Sequence, residues 1–221
     1  MCKRFTPFSI SEAQMTLDQL LETGGAHIPD EPEAKIKDAF PGSLVPLFLP
    51  NAEGKLQMQT ASWGFALDDN RKLYFNTRLE TALQQYESKT GLWAKAIRHG
   101  RCLVPVHAFY ENHHTDIEYS PKTGKPIHKL YRITYNNAKA FLLAGVYLDG
   151  RFSVVTTKPN NFMAPIHNRM PLVLGQGESR IWLSENFGSL TDRNNIPLIA
   201  SPAENYQSQS GNKNHLSNSF K

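Results

Sequence analysis

A chain of 221 residues, 40% of them hydrophobic and 20% charged, is long enough to bury a substantial core and has the composition of an ordinary globular protein. Its 24 Lys and Arg against 20 Asp and Glu leave a net charge of +4, which permits a polyanionic partner without demanding one. Two cysteines exclude a disulfide-stapled secreted scaffold. With no apolar leader in MCKRFTPFSI and no apolar run of the length a membrane span needs, a cytoplasmic location and no membrane partner are expected.

In chain order, Ser11-Glu12-Ala13-Gln14 has the spacing of a capping box and opens a helix through Met15, Leu17, Leu20 and Leu21, closed by Gly24-Gly25. After a polar, acidic stretch, Phe40-Pro41-Gly42-Ser43 predicts a turn and Leu44 to Leu49 a strand. Asn51-Ala52-Glu53-Gly54 predicts a hairpin turn into a strand from Leu56 to Trp63. Leu73-Tyr74-Phe75 is a short strand. Leu79, Ala82, Leu83 and Tyr86 have helical spacing, which Ser88-Lys89-Thr90-Gly91 interrupts and Leu92 to Ile97 resumes.

Beyond residue 100 the pattern is mainly strand: Cys102 to Val106, Lys129 to Tyr135, Phe141 to Leu148 and Arg151 to Thr157, the last two joined by a tight Asp149-Gly150 turn. Met170 to Leu174 is another short strand, and Glu178 to Asn186 has helical character. Residues 203–221 are rich in Asn, Ser and Gln and predict a polar tail behind one domain spanning 1–202. With neither repeats nor a linker, the expected fold class is α+β, a single domain with mostly antiparallel sheet.

Four places could carry chemistry. Cys2 stands directly behind Met1, and removal of Met1 would give one residue both an α-amine and a thiol. An amine with a reference pKa of about 7.7–8.0 attacks an aldehyde to form a Schiff base, and a thiol of about 8.5, partly thiolate, can close onto it as a thiazolidine. The bland alternative is an inert, frayed terminus. In Tyr74 to Thr81, Asn76 stands where a strand meets a helix. There it, or Thr77, could simply cap the helix, with Arg78 and Glu80 as ordinary first-turn residues. In Val104 to Glu111, a carboxylate ends a long apolar run. Desolvation would raise its pKa towards neutrality, unless Glu111 faces water at the strand exit. In Pro165 to Pro171, a loop carries His167 and Arg169, either a proton shuttle with a cation or a plain turn with a surface Arg. Cys102 fits a buried small hydrophobe. His113-His114 lies in a polar insertion with no partners at metal-ligand spacing, so neither metal nor cofactor is expected. Nucleophile-elbow, phosphate-loop and dinucleotide fingerprints are absent from the sequence.

Taken in order, Cys2 with Arg4, Phe40-Pro41-Gly42, Trp63-Gly64, Asn76-x-Arg78-x-Glu80-Thr81, Arg101-Cys102 through Phe109-Tyr110-Glu111, and His167-Asn168-Arg169-Met170-Pro171 resemble the SOS-response-associated peptidase (SRAP) family, over roughly residues 2 to 175. The resemblance implies a single domain whose antiparallel sheets form a barrel-like core flanked by helices, with a positively charged DNA groove. It implies self-removal of Met1 and covalent capture, as a thiazolidine, of the ring-opened aldehyde of an abasic site in single-stranded DNA, by a monomer acting in the DNA damage response. Cys2 would be the nucleophile, Asn76 its holder, Glu111 the proton handler and His167 the acid that opens the sugar. Arg78 and Arg169 would bind flanking phosphates. Arg4, Pro41, Gly42 and Thr156 would line the DNA path, and Trp63 would pack beneath the site. Two other functions compete: a non-covalent single-strand-binding module, and a thiol peptidase acting on other proteins. The sequence departs from the family at Lys3, where Gly is usual, and in Phe65 to Asn70, where wedge aromatics are replaced by Asp68-Asp69.

Overall fold

The computed structural model describes residues 2–23, 37–66 and 72–203. The chain opens with β1 (Arg4–Pro7) and α1 (Ile10–Thr23), and continues with a hairpin of β2 (Leu44–Pro50) and β3 (Leu56–Trp63). A small ribbon of β4 (Phe65–Ala66) and β5 (Leu73–Tyr74) precedes β6 (Asn76–Arg78), which runs directly into α2 (Leu79–Ser88) and then α3 (Ala94–His99). Four long strands follow: β7 (Arg101–Tyr119), β8 (Pro126–Tyr135), β9 (Phe141–Leu148) and β10 (Arg151–Thr157). The chain then forms β11 (Met170–Pro171), β12 (Val173–Leu174), α4 (Glu178–Leu183), a 3-10 helix at Glu185–Ser189, and β13 (Leu198–Pro202).

Strands β7, β9, β10, β3 and β2 close into a ring: β7 pairs with β9, β9 with β10, β10 with β3, β3 with β2, and β2 again with β7. Side chains alternate across a strand, so every ring strand points one set inward and one set outward. Cys102, Val104 and Val106 of β7, Phe141 and Leu143 of β9, Phe152 and Val154 of β10, Val45, Leu47 and Leu49 of β2, and Ala61 and Trp63 of β3 fill one cluster, the interior. The alternate residues Leu103, Ala144, Val146 and Val155 enter a second cluster with Leu79, Trp93, Ile97, Trp182 and Phe187 from the helical side. Two-sided burial is why these strands appear as unbroken apolar runs. The architecture is a mixed α+β domain, and its sheet is antiparallel except where β10 runs parallel to β3 and β6.

Two turns depend on unusual backbone. Asp149 and Gly150 both have positive φ, 49° and 75°, as a two-residue hairpin turn requires. At Gly100 a Cβ would lie 1.9 Å from the Tyr147 carbonyl oxygen, so only glycine lets α3 feed β7 this close to β9.

The structure corrects several expectations. The capping box is Ser9 with Glu12, not Ser11 with Gln14: Ser9 N donates to Glu12 Oε2 at 2.7 Å and Glu12 N to Ser9 Oγ at 3.1 Å. This turns the helix so that Glu12, Ala13, Thr16 and Leu17 are buried and Met15 is exposed. Strand β7 does not end near Val106 but runs to Tyr119, which puts Glu111 in mid-strand rather than at an exit. Residues Met170 to Leu174 split into two short strands that pair with different partners, β10 and β9. The helix expected through Asn186 breaks at Ser184, whose hydroxyl caps the 3-10 helix by accepting from Asn186 N. Strands β1, β6 and β13 were not anticipated; each is too short to show a period and forms by pairing with a longer strand. The Gly24-Gly25 stop, Asp68-Asp69 and the tail beyond Ala203 lie outside the described residues, as does Met1. Among the described residues no helix is long and apolar enough to cross a membrane.

Candidate active site

Strand β1 lies antiparallel on β7, with Arg4 opposite Tyr110 and Phe5 opposite Phe109. Continuing that register places Lys3 opposite Glu111 and Cys2 opposite Asn112, close enough to Glu111 for its charge to act on the Cys2 thiol. Phe5 anchors the strand: it is fully buried, with its ring centroid 4.5 Å from that of Trp63. Cys2 is itself buried, and its Sγ lies 3.5 Å from the Arg4 carbonyl oxygen. Burial first, and the Glu111 charge second, push the Cys2 thiol well above the usual range. The partial thiolate expected for an open cysteine is therefore replaced by a neutral S–H.

Asn76 holds this end of the chain. Its Nδ2 donates to the Cys2 carbonyl oxygen at 2.8 Å across 74 residues of sequence. Helix capping is not its role, because the N-cap of α2 is Arg78 and no side chain caps it. Asn76 is set by its neighbour: the Phe75 carbonyl accepts from Trp63 Nε1 at 2.8 Å and from Val154 N at 3.1 Å. Trp63 thus lies beneath the site, fully buried with its indole N–H satisfied.

Glu111 and His167 face each other, with His167 Nε2 4.0 Å from Glu111 Oε2. Glu111 is only 4% exposed, and burial pushes its carboxyl up to about 7. Burial likewise lowers the His167 pKa. His167 Nδ1 lies 3.0 Å from Arg169 N and 3.1 Å from the Arg169 carbonyl oxygen, contacts that suit either tautomer, and Nε2 is the ring nitrogen turned to Glu111. The pair can therefore hold and pass a proton near neutral pH.

The expected DNA-binding residues divide. Arg78 is exposed. Arg169 is engaged by a forked pair with Glu80, at 2.8 and 2.9 Å, and donates to the Thr156 carbonyl oxygen at 2.7 Å. That pairing holds the Glu80 carboxyl below its ordinary range. Thr156 is fully buried, so its side chain presents no open face for the expected DNA contact. Arg4 lies over the Tyr110 ring at 4.1 Å and pairs with Asp38 at 2.6 Å, an arrangement that fastens β1 as much as it presents charge. Pro41, half-buried, and Gly42, exposed, form a turn tied to the ring by Gly42 N donating to the Trp63 carbonyl oxygen at 2.7 Å.

Two residues that shape the site were not singled out in the sequence. Asn160, buried, donates to the carbonyls of Arg193 and Ile196 and accepts from Met163 N at 2.9 Å, which builds the loop that carries His167. Lys158 is exposed, and its charge reaches Glu80 beside Arg169. The nearest signal was the Pro159-Asn160-Asn161 turn composition; nothing local marks Lys158. Among the described residues no group of three His, Cys, Asp or Glu could hold a metal ion.

Comparison with known proteins gives one consistent result. The chain is 30% identical over 201 residues to the abasic site processing protein YoqW of Bacillus subtilis, covering 83% of this chain and 80% of that protein. It is 29% identical over 201 residues to the abasic site processing protein YobE of the same organism, covering 82% of that relative. Among solved structures, a phage-related protein from Bordetella bronchiseptica shares the fold with a TM-score of 0.65 at 20% identity, covering 92% of this chain and 95% of that one. A protein from Bacteroides thetaiotaomicron does so with a TM-score of 0.62 at 21% identity, covering 92% of this chain and 93% of that one. The model of the SOS response associated peptidase (SRAP) family matches residues 1–210, and the chain belongs to that family.

Proposed function

We propose that this protein processes abasic sites in single-stranded DNA and captures them covalently through Cys2 once Met1 has been removed. The observation that carries the reading is the Asn76 bond to the Cys2 carbonyl at 2.8 Å, which holds the residue next to a carboxyl poised near pH 7. The abasic-site processing named in its relatives points the same way.

The chemistry follows from the side chains. Protonated His167 gives its Nε2 proton to the ring oxygen of the abasic sugar while the Glu111 carboxylate takes the proton of the C1′ hydroxyl, and the ring opens to the aldehyde. The Cys2 amine adds to C1′. Glu111, protonated about half the time near pH 7, gives a proton to the departing hydroxyl, and water leaves as the imine forms. The neutral Cys2 thiol then adds its sulfur to the imine carbon while its proton ends on the nitrogen. One water is released overall, and no oxidant or reductant is needed. Arg78, Arg169 and Lys158 supply charge for the flanking phosphates. A buried thiol with a raised pKa suits this intramolecular closure. It does not suit a peptidase acting on other proteins, which needs a reachable thiolate.

The test is the intact mass of the purified protein before and after incubation with an abasic oligonucleotide. Loss of the methionine mass and a covalent adduct that disappears in Cys2→Ala are expected. Quantitative retention of Met1 with no adduct sinks the proposal. Binding that survives Cys2→Ala without preference for abasic DNA would instead favour a non-covalent module.

A further inference from the structure

The polar segment containing His113-His114 has no part in the chemistry above, yet the structure gives it a definite place. Strand β7 carries Glu111, and three residues further on the pairing of β7 with β8 slips its register, between Asn112 and Ile117. The slip turns His114 away from the ladder towards the loop that bears His167. There His114 makes two bonds to one acceptor: its backbone N donates to the Ile166 carbonyl oxygen at 2.9 Å, and its ring Nδ1 lies 3.0 Å from the same oxygen. A carbonyl only accepts, so Nδ1 carries a proton in this arrangement.

The ring is fixed from its other side. His113 stacks on it with centroids 5.3 Å apart and planes 19° from parallel, and His113 Nδ1 in turn accepts from Asp116 N at 2.9 Å. Ile166 is the residue before His167, whose own N donates to the Met163 carbonyl oxygen at 2.9 Å. Two segments distant in sequence, the strand of Glu111 and the loop of His167, are thus bolted together three residues beyond Glu111 and one residue before His167.

We infer that His114 is a positioning residue, whose ring bond to Ile166 sets the distance between Glu111 and His167. This rests on the proposed abasic-site chemistry for its catalytic meaning. An asparagine at 114 can place an amide N–H where the histidine has Nδ1–H, whereas alanine leaves the backbone bond and removes the ring bond.

The experiment compares the native protein with His114→Ala and His114→Asn in two measurements. The first is single-turnover cross-linking on an abasic single-stranded oligonucleotide over a range of protein concentrations. The second is hydrogen exchange of the Ile166 and His167 amides. In His114→Ala the maximal rate should fall about fivefold, the effect of one ordinary hydrogen bond, with the half-saturating concentration unchanged. Both amides should exchange several times faster, and His114→Asn should recover most of each loss. The inference is overturned if His114→Ala exchanges and reacts like the native protein. It is equally overturned if asparagine is no better than alanine, or if the loss lies in half-saturation rather than in rate. Native protein that shows the exchange pattern but forms no adduct would leave the brace standing and remove the proposed function.

Discussion

Cys2 and Cys102 are equally buried, belong to the same interior cluster, and have thiols pushed the same way by burial, yet their surroundings are opposite. Cys102 sits in the wall of the ring, where a Cβ on Gly145 would come within 2.8 Å of its sulfur and its carbonyl accepts from Trp182 Nε1 at 3.0 Å. Burial is what pushes its thiol up. Cys2 lies against Glu111 and is gripped by Asn76. Under the proposed function, burial of a thiol therefore does not distinguish a structural cysteine from a reactive one. The distinction lies in whether the chain end and a proton carrier accompany it.

The largest expected effect breaks the comparison outright. Cys2→Ala should abolish the covalent adduct, while Cys102→Ala should leave adduct formation within about twofold and cost about 1 kcal/mol of stability for the deleted buried sulfur. Gel separation of adducts and urea denaturation measure the two; adduct loss in Cys102→Ala would erase the distinction.

Glu111→Gln should slow cross-linking at neutral pH by about a hundredfold or more, as removal of a proton carrier does. It should also reverse sign in stability. The carboxyl's pKa of about 7 in the folded chain stands above the ordinary 4.5, so the folded state holds this proton more tightly than the unfolded state. The stability it contributes is complete below the unfolded value and is lost as pH rises through the folded one, a difference of about 3 kcal/mol. Glutamine has no such loss. Urea midpoints should coincide near pH 5 and favour the variant near pH 8; a less stable variant at pH 8 would contradict the buried, raised carboxyl.

Smaller effects sharpen the picture. Asn76→Ala should slow capture about five- to tenfold through the lost bond to Cys2, with DNA affinity unchanged. Equal losses in affinity and rate would mean that Asn76 does not act through Cys2. Arg78→Ala should weaken non-covalent binding to a stable abasic analogue uniformly across sequences and reduce the salt slope by about 0.7, the share of one phosphate contact. An unchanged slope would place the strand elsewhere.

Much of the fold was legible because both faces of the ring strands are buried, and burial writes itself as apolar runs such as Cys102 to Val106 and Phe141 to Leu148. Legibility failed where a strand leaves the core. Residues 108–111 of β7 are still buried, but residues 112–119 continue the strand with no buried position, and a polar stretch carries no period to read. It failed again at β1 and β6, where four and three residues respectively are strands only because β7 and β10 accept them.

The site divides in the same way. Local chemistry in the sequence was enough to mark Cys2 as an aminothiol precursor, Glu111 as a carboxylate beside apolar residues, and His167 with Arg169 as a charged loop, since these depend on residue type and immediate neighbours. Their meeting was decided only by tertiary structure. Asn76 reaches Cys2 across 74 residues, and His114 reaches Ile166 across 52, through contacts that no local pattern encodes. The desolvation that brings Glu111 near pH 7, and keeps the Cys2 thiol neutral, likewise exists only once the ring has closed around them.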